Sequence, residues 1–353
     1  MPRRSATLLA STFLLIGLLA AAFLLPVPYS EMSPGPTYNT LGEQNGKPVI
    51  QVSGGPRTYD TSGHLNMTTV QVSTADFRMN LAEMLVGWVS RDTDVVPKAT
   101  LYPDNQTEQQ SEQMNAEEFA SSTDTATAAA LTQLGYKVGS EVVVGTVVEG
   151  APAQGRLHAG DVITAVDGTA VTDPDKVAPL VVRHKPGQDV VFTVVPNGKP
   201  ASAAKRVPVP TVKSPQTGKA MVGIVPSTEH TFPFKVDINL AEVGGPSAGL
   251  MFSLGIIDKL QPTDLTGGRF VAGTGTMDAD GKVGPIGGIS MKTIAARNAG
   301  ARYFFTPSAN CAEAAANTPA GLRLIKVDTL KQALDDLARI RSGRTSELPA
   351  CKG

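Results

Sequence analysis

A chain of 353 residues has room for two or three domains with sizeable cores. Its 31 basic and 32 acidic residues leave a formal net charge of −1, and only 5% of residues are aromatic, so it offers neither a basic field nor a base-stacking surface and nucleic-acid binding is set aside. The four histidines, His64, His158, His184 and His230, fall in unrelated segments, which gives no metal site.

Residues Ala6 to Leu25 form an uncharged apolar run preceded by Arg3 and Arg4, about the length a helix needs to cross a bilayer. Positive charge on the short side predicts a cytoplasmic N-terminus with its anchor (residues 1–28) and an extracytoplasmic remainder, a single-pass protein of the cell membrane whose residues 6–25 meet lipid. The competing reading is a cleaved signal peptide, for which Ala20-Ala21-Ala22 offers a small-residue site. The run continues through Phe23, Leu24 and Leu25, which favours the uncleaved anchor, and both readings export the rest of the chain.

Pro26-Val27-Pro28-Tyr29 and Ser33-Pro34-Gly35-Pro36-Thr37-Tyr38 read as an extended, proline-set linker. Val49 to Val52 and His64 to Val72 read as strands, Phe77 to Ser90 and Asn115 to Leu134 as helices, and the polar Tyr102 to Gln113 as a loop. Residues 29–134 are too apolar for a linker and carry no catalytic motif. They are expected to pack on the domain formed by the C-terminal part of the chain, which makes the segment between them an insertion.

That segment, residues 135–213, reads as β-rich. Val142-Val143-Val144 with Thr146-Val147-Val148, Gly160 to Gly168 with its Asp167-Gly168 turn, Asp189 to Val195 and Arg206 to Val209 supply strands, and Asp173-Pro174 opens a helix to about His184. The stretch Glu149-Gly150-Ala151-Pro152-Ala153 through Gly160-Asp161 to Asp167-Gly168 resembles PDZ domains of bacterial proteases. The resemblance implies capture of peptide C-termini by strand addition. Its carboxylate-binding loop has no clean match, and Lys137-Val138-Gly139-Ser140 is only a candidate.

The chain is organised around Val236 to Gly300. Gly244-Gly245-Pro246-Ser247-Ala248-Gly249 puts a serine between glycines just before the apolar run Leu250 to Ile257, where a buried helix would expose a hydroxyl at its start. Gly287-Gly288-Ile289-Ser290-Met291-Lys292 presents a lysine early in a second helix, with Ser290 as N-cap and Gly300 as its end. Gly245 to Gly249 also spells the nucleophile elbow of α/β-hydrolases, but those enzymes need a histidine after the serine and all four histidines precede it. A desolvated lysine is the other way to activate a serine.

The serine block, Ala272-Gly273-Thr274-Gly275 and the lysine block together resemble the proteolytic domain of Lon-type proteases over roughly residues 220 to 340. The resemblance implies a Ser247 nucleophile, a Lys292 general base and Thr274 beside the lysine. The acidic residue many Lon enzymes carry three positions before the serine is Gly244 here, leaving Glu242 nearby, and no acid is given a catalytic role. It also leaves room for a homo-oligomer, since Lon proteolytic domains often form rings. No GxxxxGK[ST] occurs in the chain, so no nucleotide, cofactor or ATPase module is expected.

Cys311 and Cys351 are an even pair in an exported chain and form a disulfide candidate against the alternative of two free thiols. The combined expectation is an α+β protein: a transmembrane helix, residues 29–134, a PDZ-like module at 135–213, a Lon-type proteolytic α/β domain at 214–342 and a tail at 343–353. Its function would be ATP-independent serine endopeptidase action on exported peptides or unfolded proteins, including signalling propeptides. The alternative is a non-enzymatic exported module that presents peptides.

Overall fold

The computed structural model describes residues 3–103, 107–240 and 243–352. The chain divides into two compact units, Met1–Gly135 with Phe234–Gly353, and Tyr136–Pro233.

The larger unit opens with α1 (Arg3–Leu24), whose window Thr7–Leu24 has a mean hydropathy of 2.3 and is entirely unburied, so it is long and apolar enough to span a membrane. Its strands of four residues or more are β1 (Tyr29–Asn39), β2 (Ile50–Ser53), β3 (His64–Val72), β4 (Asp94–Pro97), β5 (Lys235–Ile238), β6 (Phe270–Gly273), β7 (Tyr303–Pro307) and β8 (Arg323–Val327). Its further helices of six residues or more are α2 (Leu81–Val89), α3 (Glu108–Gln133), α4 (Gly249–Leu260), α5 (Ile289–Asn298), α6 (Cys311–Ala316) and α7 (Leu330–Arg341). Six strands form one mixed sheet in the order β8-β7-β6-β3-β1-β4, with β8, β7, β6 and β3 parallel and β3-β1-β4 antiparallel. β2 and β5 pair separately, Ile50 against Ile238.

Three sequence expectations change here. The proline-set linker is instead β1, buried at Ser30 and Met32 and bonded on both sides. Its ladder with β3 shifts register between Pro34 and Thr37, so the prolines sit where the pairing is interrupted and their missing N–H costs little. Helix α3 begins within the expected loop, because Thr107 caps it and Gln110 returns the bond to the Thr107 amide. Helix α2 begins at Leu81 rather than Phe77, because Asn80 and Glu83 form the same reciprocal cap.

Helix α4 is buried at every residue from Gly249 to Asp258, as its unbroken apolar run requires. Helix α3 supports it: Phe119 meets Phe252 edge-on at 5.7 Å, and Ser253 Oγ donates to Ala126 O at 2.9 Å. Helix α5 packs across β1 and β3.

The smaller unit is a five-strand path, Lys205–Pro210, Asp189–Val195, Val162–Val166, Gly139–Val147 and Ile224–Thr231, around a core of Val144, Leu157, Val166 and Phe192. Asp167 and Gly168 make its hairpin turn with φ of 49° and 76°. Asp173 caps a short 3-10 turn, Pro174–Lys176, that leads into the helix Val177–Val181. The catalytic boundary expected at 214 is therefore too early, because Ile224–Thr231 pairs with Gly139–Val147 over eight positions and completes this sheet.

Candidate active site

Three segments of the larger unit converge on one point. The first is the turn before α4, carrying Ser247. Helix α3 holds this turn: Gly245 N donates to Asn115 O at 2.9 Å, and Ser122 Oγ donates to Pro246 O at 3.0 Å. Gly249 must lack a side chain, because a Cβ there would stand 2.8 Å from Met277 Cβ and 2.9 Å from Met277 N.

The second segment follows β6 and carries Thr274, which is wholly buried. Its amide donates to Phe305 O at 3.2 Å, and Gly275 N donates to Ser247 O at 2.9 Å, which stitches this turn to the serine turn. The third is the start of α5. Gly288, not Ser290, is its N-cap, in the left-handed region at φ 67°, and a Cβ there would stand 2.7 Å from Met32 Cε and 2.9 Å from Val70 Cγ1. Ser290 lies inside the helix and is buried; no side chain caps this end. Lys292 N makes an early helical bond, to Gly288 O at 3.1 Å.

Lys292 is 3% exposed, and its Nζ donates to Ser247 Oγ at 2.7 Å and to Thr274 Oγ1 at 3.2 Å. Thr274 Oγ1 in turn donates to Ser247 O at 2.9 Å. Burial penalises the ammonium and pulls the Lys292 pKa from 10.5 down to about 7. Among the described residues the amides of Ser247 and Ala248 donate to no backbone carbonyl of another turn or loop. Ser247 borders two clefts. One, of about 300 Å³, is lined by Tyr38, Met67, Val70, Val243 and Lys292; the other, shallower, by Thr276, Pro285 and Ile286. Glu242 lies outside the described residues. Among the described residues no group of His, Cys, Asp or Glu could hold a metal ion.

The model of the Lon protease (S16) C-terminal proteolytic domain matches residues 240–339, which contain all three segments. The chain carries a Lon-type proteolytic domain. A PDZ domain model matches residues 113–206. Lon protease 2 of Bacillus subtilis is 35% identical over 97 residues, covering 27% of this chain and 17% of that protein. A Lon protease of Roseiflexus castenholzii is 44% identical over 66 residues, 19% of this chain and 8% of that one. The chain thus spans less than a fifth of either relative. The PDZ domain of the SdrC-like protein of Listeria innocua is 26% identical, covering 24% of this chain and 92% of that structure at a TM-score of 0.21.

Beyond the Lon-type site, Cys311 at the start of α6 is bonded to Cys351, 40 positions on. The tail is held further by Lys326 N, which donates to Pro349 O at 2.9 Å. In the PDZ unit, Gly139 and Ser140 lie in a strand opposite Thr231 and His230, so Lys137 to Ser140 is not a carboxylate loop. The apolar groove of this unit, about 310 Å³, lies instead between Val177, Val181 and the segment Met221 to Ile224 that leads into the sheet's edge strand. No local pattern in the sequence marks this groove, because the edge strand comes from the end of the module rather than its beginning.

Proposed function

We propose that the chain is a membrane-anchored serine endopeptidase whose Ser247 and Lys292 act as nucleophile and general base. The observation that carries this is Lys292 Nζ at 2.7 Å from Ser247 Oγ, on an amine that burial makes neutral near pH 7. Ser247 Oγ attacks the scissile carbonyl as its proton passes to Nζ. Lys292 then returns that proton to the leaving amine, and water hydrolyses the acyl-enzyme with the same lysine as base. In this mechanism the Ser247 and Ala248 amides receive the oxyanion. Because Ser247 stands between two clefts, chain on both sides of the scissile bond has somewhere to lie, which favours internal cleavage over trimming of ends.

With Arg3 and Arg4 on the cytoplasmic side, α1 anchors the catalytic unit outside the membrane. There it works without ATP, on exported peptides or unfolded segments. The edge strand Ile224–Thr231 beside its apolar groove suits capture of an extended peptide by strand addition. Labelling of the full chain with a fluorophosphonate tests the nucleophile: Ser247→Ala should lose the label, and wild-type protein that takes none would overturn the reading.

A further inference from the structure

Helix α2 buries a narrow edge and leaves a broad apolar face bare. Met84 and Gly87 face inward, and a Cβ at Gly87 would stand 2.5 Å from Val95 Cγ2. Leu85, Val86, Trp88 and Val89 are 49%, 71%, 57% and 86% exposed. At 3.6 residues per turn these four positions form one continuous side of the helix. Scattered surface leucines mean little, but four adjoining large apolar groups with a tryptophan among them form a contact surface.

The position of this face decides what covers it. Pro26, just past the end of α1, bridges to Asn80, the N-cap of α2, and Val27 N donates to Met79 O at 2.8 Å. Helix α1 itself packs against α2. The far end is tied in as well: the Trp88 ring meets Tyr29 edge-on with centroids 6.2 Å apart. Both ends of α2 are therefore fastened to chain that has just left the apolar span. A bilayer that takes up Thr7–Leu24 has its headgroup layer at the level of α2.

We propose that α2 is a second membrane-contacting element, which lays Leu85, Val86, Trp88 and Val89 into the lipid interface beside α1 and holds the catalytic unit against the bilayer. The occupant is a phospholipid bilayer surface. Tryptophan and tyrosine favour this depth, where an apolar ring and a polar N–H or O–H both find partners, and the pair Tyr29–Trp88 supplies both. Arg78 and Arg91, exposed on either side of α2, can meet headgroup phosphates, while the equally exposed Asp76, Glu83 and Asp92 offset their charge, so the contact rests on the apolar face. The catalytic unit then has little freedom to swing about its anchor.

The proposal rests on α1 being an anchor, and the experiment separates the two. Trp88 is the single tryptophan of the chain, so its emission reports on α2 alone. The full chain is reconstituted into phosphatidylcholine and phosphatidylglycerol vesicles, and flotation reports the anchor. Lipids brominated close to the headgroup, or at the chain end, and iodide on both sides of the bilayer report Trp88. The expected result is flotation, greater loss of emission with bromine near the headgroup than at the chain end, and protection from iodide. Flotation with free quenching by iodide and none by bromolipid overturns the role of α2 and leaves the anchor standing. Protection from iodide without bromolipid quenching means that protein, such as a second copy, covers the face, and also overturns it. Failure to float overturns both. The double variant Leu85→Glu, Val89→Glu should float and keep its fluorophosphonate label while Trp88 becomes open to iodide; unchanged bromolipid quenching there overturns the proposal.

Discussion

Thr274 Oγ1 gives its one proton to the carbonyl of Ser247 at 2.9 Å, so it can meet Lys292 Nζ, 3.2 Å away, only as an acceptor. A neutral amine that donates to Thr274 turns its lone pair toward the Ser247 hydroxyl, 2.7 Å off. In the proposed mechanism Thr274 therefore acts through Lys292, as a positioning residue. Thr274→Val keeps the volume and removes the acceptor, and a lost buried hydrogen bond of ~1–3 kcal/mol corresponds to a roughly 5- to 150-fold fall in kcat. Because the ammonium loses a partner, the rising, acid-side limb of the pH profile should also move to lower pH. Thr274→Ser should restore both. A fall in rate with an unmoved limb would reduce Thr274 to a packing role.

Peptide cleavage should rise with pH through about 7, the value to which burial brings Lys292, rather than near the ordinary 10.5. Lys292→Arg keeps a cation that cannot yield its proton, so cleavage should fall as far as in Ser247→Ala. The double variant should be no slower than either single one, since the two groups act as one unit. Activity retained by Lys292→Arg would return the base to some other group.

What the sequence disclosed was local. The serine, threonine and lysine blocks lie in turns beside helix starts and a strand end, where a short motif carries its own geometry, and those three side chains do meet. What it hid depends on distant partners. Nothing in Tyr29 to Asn39 announces a ladder with His64–Val72, and the prolines point the other way until the register shift is seen. Likewise Asn115 and Ser122 steady the serine turn from more than a hundred positions away. The capping box at Thr107 and Gln110, by contrast, was readable, and the polar composition around it masked it.

The Cys311–Cys351 bond closes a loop of 40 positions, worth about 4 kcal/mol in the chain-entropy view of crosslinks. Cys351→Ser should lower the unfolding midpoint of the larger unit while fluorophosphonate labelling at Ser247 persists below that midpoint, because the hydrogen bonds that join Ser247, Thr274 and Lys292 do not run through Cys351 even though α6 packs on α5. Alkylation of the native protein without reduction should modify neither cysteine. Ready reaction of both would show the bond absent.

Lys292 also ties stability to pH, with a sign opposite to that of a salt-bridged lysine. Its folded pKa of about 7 lies below the 10.5 of the open chain, so between those values the unfolded state holds more protons than the folded one. Stability must therefore climb as pH rises from about 7 to 10.5, and the full penalty of the buried ammonium applies below about 7. A displacement of this size corresponds to roughly 5 kcal/mol. Lys292→Met keeps the length and apolar stem without the titrating group. In urea titrations over a pH series the variant should be the more stable protein near neutral pH, and the difference should shrink steadily toward pH 10.5 as the wild-type lysine loses its proton in both states. Two curves that stay parallel over that window would mean that the amine is solvated in the folded protein, and a solvated lysine could not serve Ser247 as a base near pH 7.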